Sequence, residues 1–139
     1  MEVETSFFRV NIEDFNHFKL ISFIIKKEKP TEEEWNNFIT HTKMFYRDMA
    51  EKYVLICELS ELGFIGIKKI REYVGILKSY PENIENYTIE TIVILDSSVM
   101  KSLIKMVLGI YPPRRPYRIE NDYDVVYDGI KKLITNSKN

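Results

Sequence analysis

The chain has 139 residues, of which 45% are apolar and 29% charged, and its formal net charge is -1. That length holds one sheet with its helices around a single core and excludes two independent domains, and the composition excludes wholesale disorder. A charge so near zero makes no overall field that would recruit nucleic acid, so any anion site has to be local.

Two strand-like runs come first. In Phe7 to Ile12, the residues Phe8, Val10 and Ile12 share one face of a strand, while Phe18 to Ile25 is apolar on both faces and belongs further inside a sheet. The polar stretch Glu13 to His17 suits a hairpin between them, so the first run is expected to be the antiparallel edge. Thr31 with Glu34 three residues later forms a capping box, and Trp35, Phe38, Thr42 and Phe45 then follow the helical period. Tyr53 to Leu59, continuously apolar, reads as a central strand.

A break at Gly63 to Gly66 precedes a second helical stripe from Ile67 to Tyr80, which Pro81 is expected to end. Thr88 to Leu95 is another buried strand. Asp96, Ser97 and Ser98 are cap-type residues before a helix bearing Met100, Leu103, Ile104 and Val107, with Gly109 as its stop. The proline-rich loop Tyr111 to Pro116 leads into a short strand, Tyr117 to Glu120. Asn121 can cap a last helix facing inward through Tyr123, Val126, Tyr127, Ile130, Leu133 and Ile134, with Thr135 to Asn139 frayed.

Parallel neighbours can be joined only by long crossovers, so this order predicts an α/β fold. The expectation is a single domain over residues 1–139 with a mixed, mostly parallel five-stranded sheet and flanking helices, in the order β-β-α-β-α-β-α-β-α. The single cysteine, Cys57, cannot form an internal disulfide and sits in the apolar run Tyr53 to Cys57, where it reads as a buried small hydrophobe. No signal-peptide pattern opens the chain and no apolar run approaches the ~18 residues of a membrane span, so a cytoplasmic protein without a transmembrane segment is expected.

Residues Tyr53 to Ile65, which end a strand in Glu58-Leu59-Ser60 and a short loop before a helix, resemble the central strand of the STAS family. Thr91 to Asp96 and Tyr117 to Asn121, each followed by a helix, are similar to that family's closing half. The resemblance implies the fold of the anti-sigma-factor antagonists, shared with the CRAL-TRIO lipid-transfer proteins. It also implies a departure. Regulatory STAS proteins open the helix after the central strand with a phosphorylatable serine, whereas this chain has Gly66-Ile67-Lys68-Lys69-Ile70, so a phosphoswitch is not expected there.

Two surfaces stand out as candidate sites. Gly63, Phe64, Gly66, Lys68 and Lys69 occupy the partner-docking region that the resemblance implies; taken alone, the two lysines are a solvated face. Arg114, Arg115 and Arg118 lie in or beside a loop that prolines hold extended, and could bind an anion or a partner. The alternative is a rigid connector whose arginines pair with Asp122 and Asp124. Glu58, Asp96 and Glu120 at strand ends lack metal spacing, His17 and His41 lack triad partners, and Ser97 reads as a cap; no metal or cofactor is expected.

With no nucleophile, base and orienting group together, the leading expectation is a non-enzymatic protein-interaction or regulatory module that binds another protein. The other is binding of a small anionic or lipid-like ligand in an apolar cleft whose arginine loop holds the head group. Nine tyrosines and eight phenylalanines leave room for a homodimer. A closed core favours the first reading and a deep apolar cavity the second.

Overall fold

The computed structural model describes residues 2–137, without the side chains of Ile110 and residues 134–137. The fraying expected over Thr135 to Asn139 is corrected for Thr135 to Ser137, which continue the last helix; Lys138, Asn139 and the inward placement of the Ile134 side chain lie outside the described residues. Six strands form one sheet in sequential order: β1 (Glu2–Glu4), β2 (Phe8–Asp14), β3 (Lys19–Ile25), β4 (Tyr53–Glu58), β5 (Thr88–Ile94) and β6 (Tyr117–Glu120). As expected, β2 and β3 form an antiparallel hairpin and β3 to β6 run parallel.

Two expectations need correction. The sheet has six strands rather than five, because Glu2–Glu4 pairs antiparallel with β2 and takes the edge that the Phe7 to Ile12 run was expected to hold. A three-residue strand with glutamates at both ends has too little apolar pattern to read from sequence, yet charge of this kind blunts an exposed edge. Pro81 does end the preceding helix at Ser79, but it also begins another, since a proline at the first helical position gives up an N–H that has no partner there anyway.

The helices are α1 (Glu32–Asp48), α2 (Ile67–Ser79), α3 (Pro81–Tyr87), α4 (Ser98–Ile110) and α5 (Tyr123–Ser137). Crossovers that all step the same way along a parallel sheet put their helices on one face. Accordingly α1 to α4 cover the face carrying Phe23, Leu55, Cys57 and Val93, and α5 alone covers the other, against Leu20, Val54, Ile56 and Ile92. On α5, Val126 and Ile130 are buried as expected, whereas Leu133 is 71% exposed and faces solvent. Asp122, not Asn121, caps this helix: its Oδ1 accepts from the Asp124 and Val125 amides at 2.9 and 3.3 Å.

The α1 end of the helical layer is densely packed. Thr31 Oγ1 accepts from the Glu34 amide at 3.1 Å and the Glu34 carboxylate accepts from the Thr31 amide at 2.9 Å, closing the capping box. Phe38 sits edge-on to Phe7, Phe8 and Phe23, with Trp35 beside it. Trp35→Ala is therefore expected to cost on the order of 3–5 kcal/mol, and Thr31→Ala about 1 kcal/mol. Urea unfolding checks both; a Trp35 variant as stable as the parent contradicts the packing.

Lys27, 2.6 Å from Glu34, together with Ser6 and the Thr31 amide, holds the Glu34 carboxyl down to about 2. A folded-state value below the unfolded one contributes stability that is present above the ordinary value near 4.5 and lost as pH falls toward 2. Over that window the urea midpoint should fall less steeply in Glu34→Gln than in the parent. Parallel profiles for the two proteins would show that Glu34 is not a source of the acid sensitivity.

Candidate functional site

The layer of α2, α3 and α4 stands off the sheet and leaves a cavity of about 250 Å³ between them. The period-2 alternation of the strands turns Leu55 and Cys57 of β4 and Thr91 and Val93 of β5 toward it, and the helical period turns Tyr73 and Leu77 of α2 and Leu103 and Val107 of α4 to meet them. Thr91, Val93, Tyr73, Leu77, Leu103 and Val107 are only half-buried, although sequence periodicity marks the helical ones as core. Their uncovered surface is cavity wall. Ile67, expected at the head of the α2 stripe, is 54% exposed, and Ile76, outside that stripe, is buried.

Among the wall residues, Pro113, Arg114, Arg115 and Tyr117 are the exposed ones, so the mouth lies under the arginine loop. This loop precedes β6 and meets the start of β5, which puts the mouth at the amino-terminal ends of the parallel strands. Arg115 Nε donates to the Thr88 carbonyl at 2.7 Å, fixing the guanidinium at the rim. Arg114 lies 3.4 Å from Glu85; a hydrogen bond with Tyr111 and the charge of Glu85 raise its pKa.

Arg118 belongs elsewhere. It pairs in register with Ile92, on the α5 side of the sheet, and bonds to Glu90 at 3.3 Å and Glu120 at 3.1 Å. The three arginines are thus split between two faces, two at the cavity mouth and one across the sheet. Instead of Asp122 or Asp124, Arg114 and Arg118 pair with acids of α3, β5 and β6.

The second expected surface lies at the opposite, carboxyl-terminal end of the strands. Gly63 is a packing residue: its amide donates to the Glu28 carbonyl at 2.9 Å, and an added Cβ would come within 2.7 Å of Glu28 Cγ. Gly66 holds φ at 93°, a backbone state that side-chain-bearing residues rarely adopt, as α2 begins. Lys69 pairs with Glu32 at 2.9 Å, whereas Phe64 is 57% exposed beside the exposed Lys68.

The remaining candidates fall into structural roles. Glu58 accepts from the Ser60 amide at 2.8 Å, Glu120 pairs with Arg118, and among the described residues no group of three or more acids, histidines or cysteines could hold a metal ion. The His41 ring packs edge-on to Phe8 and His17 is exposed. Ser97 caps α4 through the Met100 amide. Cys57 is buried in the cavity wall near Tyr73, which in turn lies near Tyr46; burial raises both phenols well above their ordinary range and pushes the thiol up to about 12. No described helix is long and apolar enough to cross a membrane.

No family model matches the chain, and no curated protein matches it. Among solved structures it is similar to a protein of the DUF3478 family from Shewanella loihica PV-4, described as uncharacterized and as having a SpoIIAA-like fold. The two superpose with a TM-score of 0.62 at 11% identity, over 92% of this chain and 97% of that one. The fold is therefore SpoIIAA-like, that of STAS domains, as the segment order implied.

A thiol so placed stays protonated at any ordinary pH. Cys57 in the native protein should resist a disulfide reagent such as DTNB at pH 8 and react within seconds in denaturing urea. Equal rates in the two states would mean that the cavity wall does not shield it.

Proposed function

We propose that this protein is a non-enzymatic, cytosolic binder of a small amphiphile. Its apolar chain occupies the cavity and its anionic head lies at Arg115 and Arg114. The observation that carries the reading is the half-buried apolar wall. Protein interiors close-pack, and a pocket lined by aliphatic and aromatic side chains with a few polar groups at one end is the usual form of a small-molecule site. At about 30 Å³ per water-sized group, 250 Å³ has room for roughly eight heavy atoms, the scale of a medium-length acyl chain.

Docking of another protein, the function implied by the resemblance, is favoured by one observation, the exposure of Phe64 and Ile67 beside Lys68 at the far end of the strands. Mass spectrometry of material co-purified from native extract separates the two readings, a bound amphiphile supporting the first and a stoichiometric protein the second.

Decanoate, titrated calorimetrically at low ionic strength, should bind one molecule per chain. Arg115→Ala should weaken it by roughly tenfold, as expected for a charge-assisted contact, and Arg118→Ala should leave it unchanged. Val93→Phe should fill the cavity and abolish binding with cooperative unfolding retained. No binding by the parent, or equal binding by the filled variant, refutes the reading.

A further inference from the structure

A purely apolar pocket would suit a plain alkyl chain, but this one has a polar spot partway along its wall. Tyr46 of α1, Tyr73 of α2 and Cys57 of β4 all line the cavity and lie near one another, with Tyr73 next to both of the others. Three X–H groups in a row bring three donors and have at most two junctions to fill. At least one donor is left over, and buried donors are almost always paired.

The other polar wall groups do not compete. The Thr42 hydroxyl donates to the Phe38 carbonyl at 2.8 Å, and the Thr88 hydroxyl bonds that of Tyr53. Thr91 pairs in register with Tyr117 and so lies at the level of the mouth. The row sits deeper, since Cys57 is four residues along β4 from Tyr53 and Tyr73 stands in the middle of α2. All three groups are neutral at ordinary pH, so the spot suits an uncharged oxygen; a second carboxylate buried there would carry a large desolvation cost.

We infer that the occupant is an oxygenated chain: a medium-length amphiphile with a neutral acceptor oxygen, such as a ketone, partway along it, received by the Tyr46, Tyr73 and Cys57 row. This rests on the amphiphile reading of the cavity and adds to it the chemical class of ligand.

Calorimetric titration of decanoate and of its oxo derivatives, with the ketone moved carbon by carbon, tests the inference. One position should bind roughly tenfold tighter than decanoate itself, the gain of a hydrogen bond made out of water. Tyr73→Phe, which breaks the row at its centre, should erase that preference, so that the favoured isomer and decanoate bind alike. Tyr46→Phe should weaken it, and serves where the first variant fails to unfold cooperatively in urea. Decanoate binding with no preferred isomer overturns this inference and leaves the amphiphile reading standing; no binding by any member of the series overturns both. A preference that persists in both variants assigns it to other residues and overturns the role of the row.

Discussion

The parallel pairing of β3, β4, β5 and β6 constrains the rest of the molecule. Each parallel step needs a crossover, and three steps in the same direction bring α1, α2 with α3, and α4 to a single face, leaving one helix for the other. The two faces then have unequal tasks. On the α5 side, Val126 and Ile130 meet Leu20, Val54, Ile56 and Ile92, and Tyr123 and Tyr127 reach Ser22 and Glu13 at the border. On the other side a layer of several helices must match a twisted sheet along its whole width, and α1 brings aromatic bulk against Phe7, Phe8 and Phe23. Over β4 and β5 the match fails and the cavity remains.

An unfilled apolar space of this size is energetically large. At roughly 24 cal/mol per Å³, an empty cavity of about 250 Å³ corresponds to about 6 kcal/mol relative to a filled core, which is comparable with the whole stability of an ordinary domain. Thr91 and Val93 on β5 are small residues in the cavity wall, where larger ones would close the gap. An occupant that filled the space would add its binding free energy to folding, so the same gap that weakens the empty protein would couple its stability to occupancy.

What was legible in the sequence and what was not divides along physical lines. The capping box at Thr31 and the aromatic stripe behind it are local patterns, and α1 follows them residue for residue. The continuous apolar character of Phe18 to Ile25 and Tyr53 to Leu59 likewise predicted inner strands. Glu2–Glu4 is too short and too charged to declare itself, and Pro81 carries the same backbone constraint whether it ends one helix or begins the next. Separating Arg118 from Arg114 and Arg115 was within reach, because Tyr117 and Arg118 are successive residues of a strand and must point to opposite faces. The cavity was not within reach. Periodicity tells which side of α2 and α4 turns inward, but not how far two layers stand apart, and the Tyr46, Tyr73 and Cys57 row draws on three elements whose meeting is a tertiary fact.

Open parallel sheets usually bind ligands beyond the carboxyl ends of their strands, where loops diverge and helices begin. Here that rim is closed by its own hydrogen bonds. The Leu59 amide donates to Ile94, that of Gly63 to Glu28 and that of Leu95 to Glu120, while Glu58 takes the Ser60 amide and Ser97 that of Met100. With those donors used, and with Gly63 seated against Glu28, little polar capacity remains there for a ligand. At the amino ends the prolines stiffen the loop, whose Pro116 carbonyl accepts from the Thr91 amide at 3.0 Å, and Arg115 is anchored through one nitrogen, which leaves the rest of its fork at the mouth. The inverted placement therefore follows from where the chain has satisfied its polar groups: the end that is sealed by backbone pairing serves the fold, and the end that is lined by a stiffened loop and two cations is the one open to a guest.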